Sequence, residues 1–248
     1  MIDGLQQKKK INFELEEANN TEPKDANMLS AKGRQLIEMY KEIAANGFYC
    51  KDGTKVESVY NRFELRKFRT ICREKLSDKE IATVLDYGGG GSDWDEPDFD
   101  LESGQTAKQY FDVSLVNTFE PARNKLEKTK SDCVICMDVL EHIFISDVPK
   151  VVSELFSLAK KLLIINVACY EADALLPNGE NAHITTRNAE WWKGVIDATA
   201  VHFEDVEVML ICSTSYASGV VYEPFRSSDW HHGAGFTTHY KSVTYGAT

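Results

Sequence analysis

The sequence predicts an α/β fold: a mostly parallel sheet with helices on both faces, an antiparallel last strand, and a helical addition at the N-terminus. Three observations carry this. The apolar run 81–85 ends in Asp86-Tyr87 and breaks into Gly88-Gly89-Gly90-Gly91, which is a buried strand feeding a turn whose backbone is bare. A second apolar run, 133–137, also ends in an acid, Asp138. Between and after them, segments of strand character alternate with segments of helical periodicity, the pattern of parallel strands joined by crossover helices.

Taken in order, residues 1–28 are polar, carry Asn19-Asn20, Glu22-Pro23 and Lys24-Asp25, and read as an arm. Leu36, Ile37, Tyr40, Ile43 and Ala44 share one helical face over 30–46, and Gly47 stops the helix. A second helix is predicted over 58–76, with Phe63, Leu65, Phe68, Ile71 and Cys72 on one side and Arg62, Arg66, Lys67, Arg69 and Arg73 on the other. These helices form an N-terminal unit, 1–78, capping the ligand site of a core at 79–248. Within the core, strands are expected at 82–86, 112–119, 132–138 and 161–168. Helices are expected at 147–160 and 188–200. Strands at 205–212 and about 237–245 are expected to close the sheet as an antiparallel hairpin, with 216–236 as a long loop.

Composition sets limits. A chain of 248 residues that is 43% hydrophobic can bury a sizeable core in one α/β domain. A net charge of −11 argues against a surface that tracks nucleic-acid phosphates. The basic run 8–10 reads as a solvated tail. No apolar run approaches the ~20 residues of a membrane span, and the first residues lack the apolar stretch of a secretion signal, so the cytoplasm is the expected compartment. Cys133 and Cys136 have redox or zinc spacing, but on a strand they point to opposite faces. They read as buried structural cysteines, and no metal site is expected.

The glycine turn alone also fits an ordinary hairpin. Its pairing with Asp138-Val139-Leu140-Glu141-His142-Ile143 is more specific: the two segments together resemble the class I S-adenosylmethionine-dependent methyltransferases over roughly residues 80–215. The resemblance implies a Rossmann-like core and S-adenosyl-L-methionine as cofactor. It places Asp86, Tyr87, Gly88, Gly89 and Gly90 beneath the methionine–ribose part, and Asp138, Val139 and Leu140 beside the cofactor. The family pattern puts a further glycine where this chain has Ser92, so the loop is expected to turn differently. An acid ending the second strand holds both ribose hydroxyls in the family; Glu120 is the candidate. It lies 34 residues after Asp86, beyond the usual ~20, and only 12 before Asp132, which leaves little room for a helix and a further strand.

Methyl transfer relies on aligning an acceptor with an electrophilic methyl, and a hydroxyl acceptor gains from a nearby base, commonly histidine. His142 and His183 are the candidates. His183 follows Leu176-Pro177-Asn178-Gly179-Glu180-Asn181-Ala182, a tight polar turn. Asn181, Trp191 and Trp192 are candidate substrate residues for a sugar-like acceptor. The stretch also looks like methyltransferases associated with surface-glycan genes. The acidic run 93–102 reads as a solvated loop, the pair His231-His232 as part of a surface loop, and Arg62 and Arg66 as a solvated helix face.

The expectation is methyl transfer to a hydroxyl of a small polar molecule, with a small-molecule partner, no nucleic acid and no membrane. Alternatives are a non-catalytic cofactor-binding module and aminopropyl transfer. A nucleotide-sugar oxidoreductase does not fit, because Gly90-Gly91-Ser92-Asp93-Trp94 does not run a Gly-x-Gly-x-x-Gly into a helix. Oligomeric state stays open.

Overall fold

A computed structural model describes residues 29–57, 63–225 and 238–239. Its centre is a seven-stranded sheet in the order β10-β9-β8-β6-β5-β3-β4. The members are β3 (Thr83–Tyr87), β4 (Leu115–Phe119), β5 (Ser131–Met137), β6 (Ala159–Ala168), β8 (Glu207–Ser215), β9 (Ser218–Phe225) and β10 (Thr238–His239). The neighbours β4, β3, β5, β6 and β8 run parallel; β9 and β10 are added antiparallel.

Period-2 alternation divides the strands' side chains between two cores. Leu85, Val134, Cys136, Leu163 and Leu210 face α5 (Val148–Leu158) and α6 (Ala189–Ala200). Val84, Cys133, Ile135, Ile164 and Met209 face α2 (Phe63–Lys67) and α3 (Arg69–Asp78). The two cysteines of the Cys-x-x-Cys therefore lie in opposite cores, and burial pushes both thiols well above their ordinary range. Helices cover both faces, as alternation of elements requires for a buried parallel sheet.

The N-terminal helix α1 (Ala31–Asn46) begins at Ser30, whose side chain accepts from the Gly33 amide, and ends at Gly47 with φ 77°. It buries Leu36, Met39 and Ile43 against Ala172, Leu176 and Ala182. The single helix expected over 58–76 is two in the described residues, broken at Phe68 (φ −103°, ψ 13°); both halves bury apolar residues in the same core. A small sheet of β1 (Phe48–Cys50), β2 (Lys55–Val56) and β7 (Ala174–Leu175) was not expected.

Two further expectations are corrected. The hairpin that closes the sheet is β8–β9, not 205–212 with 237–245. Residues 218–225, inside the expected loop 216–236, form β9. A Cβ on Gly219 would meet the Cys212 carbonyl at 2.5 Å, so the hairpin needs glycine there. The expected strand at 237–245 is represented in the described residues only by β10, and His231 and His232 lie outside them. The short gap after Glu120 is also explained. No helix joins β4 to β5; the chain makes a 3-10 turn, Pro121–Arg123, and returns extended past β3. The extra residues before β4 are a loop anchored by buried Trp94 and Phe99, followed by α4 (Ala107–Tyr110) with a Thr106/Gln109 capping box. Among the described residues no helix is long and apolar enough to cross a membrane.

Candidate functional site

A cavity of about 550 Å³ lies at the C-terminal ends of β3, β4 and β5, the edge where loops of a parallel sheet gather ligand groups. Residues 86–90, Glu120, Asp138, Val139 and His142 line it, and Leu36, Ile37 and Tyr40 of α1 form its opposite wall. Helix α1 is fastened there by Asp147, which accepts from Ser30 N at 2.8 Å and Ser30 Oγ at 2.7 Å. An ion pair between Lys32 and Glu180 adds a tie.

The glycine loop is tightly specified. Gly88 has φ 76°, and a Cβ there would meet Val139 Cγ2 at 2.4 Å. A Cβ on Gly89 would meet Asp86 Oδ2 at 2.4 Å. Asp86 itself turns inward: Oδ2 accepts from Ser92 Oγ at 2.9 Å and Trp94 Nε1 at 2.8 Å. Burial raises its pKa, opposed by these two bonds. Its main work is to brace the loop. Tyr87 lines the cavity with its ring against Phe119, and its hydroxyl donates to Glu154 at 2.7 Å.

Glu120 caps the turn after β4. Its Oε1 accepts from Ala122 N at 2.9 Å and its Oε2 from Gly90 N at 3.0 Å. The two amides fix the carboxylate plane, and each oxygen keeps acceptor capacity. Burial raises the Glu120 pKa, and the two amides counter it.

Beyond β5 the chain assembles a second polar group. Asp138 takes φ 58°, in the left-handed region, a conformation that aspartate tolerates better than most residues. Glu141 is fully buried; one oxygen accepts from Ala168 N at 2.5 Å and the other, Oε2, meets no donor. Burial and then the adjacent Asp138 raise its pKa well above the carboxylate range. The acid form of Glu141 is thereby favoured beside Asp138. For Asp138 burial works upward, but the Glu141 bond and the nearby His142, His183 and Lys67 hold its pKa below the ordinary value.

The imidazoles have assigned tautomers. Tyr40 donates to Ala182 O at 2.8 Å, so its oxygen accepts from His142 Nδ1 at 2.7 Å; Nδ1 also lies 2.9 Å from Ala182 O. His183 Nδ1 bonds Tyr170 O. A carbonyl only accepts, so both Nδ1 atoms carry hydrogen, and the lone pair of each neutral ring is on Nε2. The rings stand edge to face at 5.0 Å. Burial, then His183, pushes the His142 pKa down to about 4 against the pull of Asp138.

Other sequence candidates fall elsewhere. Leu140 is fully buried in the core under α5 and does not line the cavity. Trp192 is also fully buried in that core, with Trp191 packed against it at 4.8 Å and partly exposed; neither lines the cavity. Their place is set by helical periodicity, which turns Trp192 onto the sheet. Asn181 spends its amide on its own loop, bonding Ala172 N, Ala172 O and His183 N, so it positions His183, and it does not line the cavity. Arg66 reaches Asp98 O at 3.1 Å and lies over Phe99, holding the acidic loop; Arg62 lies outside the described residues.

The sequence reading missed Tyr40, Glu64 and Lys150, all in the cavity wall. Glu64 is paired with Lys67 at 3.0 Å, and burial followed by Asp138 raises its pKa. The Lys150 ammonium is buried without a hydrogen-bond partner among the described residues. Each sits on a helix whose periodicity reports burial but not what the face covers. Comparison with known proteins finds no matching family model, no matching curated protein and no matching solved structure.

Proposed function

We propose that the protein is an S-adenosylmethionine-dependent methyltransferase, with a Rossmann-like core, acting at a hydroxyl of a small polar molecule. The observation that carries this reading is Glu120. Its carboxylate is clamped by two backbone amides, one of them from the glycine loop, at a strand end facing the cavity. Two adjacent acceptor oxygens beside bare backbone suit a vicinal diol such as a ribose. The volume is in the range of small-molecule sites, and Gly88–Gly90 offer close approach along the sugar and its substituent.

When bound, S-adenosylmethionine supplies a methyl group on a sulfonium: the acceptor oxygen forms the C–O bond as the C–S bond breaks, the electron pair goes to sulfur, and the acceptor proton leaves to a base or to solvent. Asp138 and His142 stand at the cavity wall with His183 behind them and present only acceptors, a carboxylate and two Nε2 lone pairs. They accept the hydrogen bond of a hydroxyl, orient it and offer a lone pair to take its proton. Helix α1 lays Leu36 and Ile37 along the cavity, an apolar wall that disfavours water beside the transferring group. The buried Lys150 ammonium supports an anionic group on one of the two bound molecules.

Titration calorimetry with S-adenosylhomocysteine tests the reading. One-to-one binding is expected, weakened strongly in Glu120→Ala. Absence of binding by the wild-type protein, or binding indifferent to Glu120→Ala, would rule it out.

A further inference from the structure

We propose that Asp138, His142 and His183 form a binding site for a divalent first-row transition cation, held by one carboxylate and two Nε2 atoms, with its remaining positions open to the cavity.

One ligand atom from each of the three residues lies within 4.8 Å of the others. The hydrogen-bond pattern says which atoms are available. Both Nδ1 atoms are committed to backbone carbonyls, His142 to Ala182 O and His183 to Tyr170 O. Each imidazole has only its Nε2 lone pair left. This is the arrangement that metal-bound histidines use, the far nitrogen donating to a carbonyl that fixes the tautomer and ring orientation. The carboxylate is oriented in the same way. Glu141 lies against Asp138 and is anchored by Ala168 N. One carboxylate and two imidazoles, each with a ligand atom within reach of the others, thus offer a combined donor set to a single cation.

The support is built from separate parts of the chain. Tyr40 of α1 bonds His142 Nδ1 at 2.7 Å. Asn181 bonds the His183 amide and ties its loop to Ala172. Thr185 N bonds Glu141 O at 2.9 Å. Lys67, whose charge acts on Asp138, is itself paired with Glu64 at 3.0 Å. Two imidazoles with one carboxylate favour the manganese-to-zinc series over magnesium or calcium, which prefer all-oxygen sites. Asp138 and His142 line the cavity, so the open positions would receive an oxygen of the acceptor; that last step alone rests on the methyltransferase reading.

The test uses the full-length, tag-free protein stripped with chelator and titrated with Mn²⁺, with free Mn²⁺ followed by electron paramagnetic resonance. One equivalent is expected to bind, with ¹⁴N modulation from imidazole in the pulsed spectrum, and tenfold excess Mg²⁺ should leave it in place. His183→Gln and Asp138→Asn should weaken binding about tenfold or more, whereas His202→Gln, at an exposed position, should not. No bound Mn²⁺, no nitrogen coupling, or binding unchanged in both site variants overturns the proposal. If the variants fail to fold by circular dichroism, the wild-type nitrogen coupling still decides. Calorimetry with S-adenosylhomocysteine separates the two readings: a protein that binds Mn²⁺ but not the nucleoside keeps this site and loses the methyltransferase assignment, and the reverse result does the opposite.

Discussion

Ser92 Oγ lies 2.9 Å from Asp86 Oδ2 and 2.5 Å from Gly89 O, so the residue that interrupts the glycine pattern is what holds the glycine loop in shape. Ser92 is buried, and its hydroxyl ties the last turn of the loop to its first acid. Ser92→Ala removes that donor and leaves Trp94 Nε1 as the remaining side-chain partner of Asp86 Oδ2. A loss of about 1–3 kcal/mol is expected for a buried group left short of a partner, read as a lower urea midpoint at unchanged slope. Ser92→Gly, which restores the glycine pattern, should be no better than Ser92→Ala. A glycine variant as stable as wild type would show that the hydroxyl does not brace the loop.

Glu120 offers a sharper separation of binding from folding. Glu120→Gln keeps size and one acceptor oxygen, but its amide nitrogen faces either Gly90 N or Ala122 N, donor against donor. It also presents one acceptor to a diol in place of two. Affinity for S-adenosylhomocysteine should fall roughly 10- to 100-fold, the equivalent of one charge-assisted hydrogen bond. Calorimetry checks this, with thermal unfolding run alongside to record the stability change. Undiminished affinity would remove Glu120 from the site.

Much of this was legible in the sequence because two local signals coincide: an apolar run that stops at an acid, and glycines directly after it. Apolar runs that stop at acids placed β3, β5, Asp86 and Asp138 at one edge of the sheet, and Glu120 came from the resemblance as the acid that ends the next strand. Periodicity found α1, α5 and α6 but not their functional faces, since Tyr40 reads like any apolar helix position until Ala182 and His142 are seen beside it. His142 and His183 lie 41 residues apart, and no spacing rule joins them; the crossing of α1 and the 170–183 loop does. Asn181 shows the converse. A polar residue in a loop suggests a ligand, whereas here three backbone partners within the loop use its amide. The β9 strand lay inside the expected loop 216–236, and the missing side chain of Gly219 is what lets the hairpin close.

The fastening of α1 can be tested without ligand. Asp147 is 5% exposed and accepts both the amide and the hydroxyl of Ser30. Asp147→Ala leaves the Ser30 cap on Gly33 N but frees the helix start from α5. Amide hydrogen exchange over the first two turns of α1 should accelerate at least tenfold, while β5 and β6 exchange as in wild type. Equal protection of α1 in both proteins would mean that its apolar face alone holds it over the cavity.

The depressed basicity of His142 carries a signed consequence for stability. In the unfolded chain the ring titrates near 6.5; in the fold, burial and His183 bring it to about 4. Between these values the unfolded state binds the extra proton, so acid favours unfolding. The contribution is fully present above about pH 6.5 and is lost as pH falls towards 4, by up to about 3 kcal/mol. Asp138, Glu141 and His183 surround the ring; Asp138, held below its ordinary value, adds to the loss, and Glu141, raised well above its own, opposes it. Comparison with His142→Asn removes most of their share. Asparagine can still donate to Ala182 O but takes no proton, so the variant should be less stable at pH 7.5 and lose less between pH 7 and 5. Urea unfolding of both proteins with chelator present measures this. Parallel pH profiles for the two would show that His142 is not held neutral by the fold.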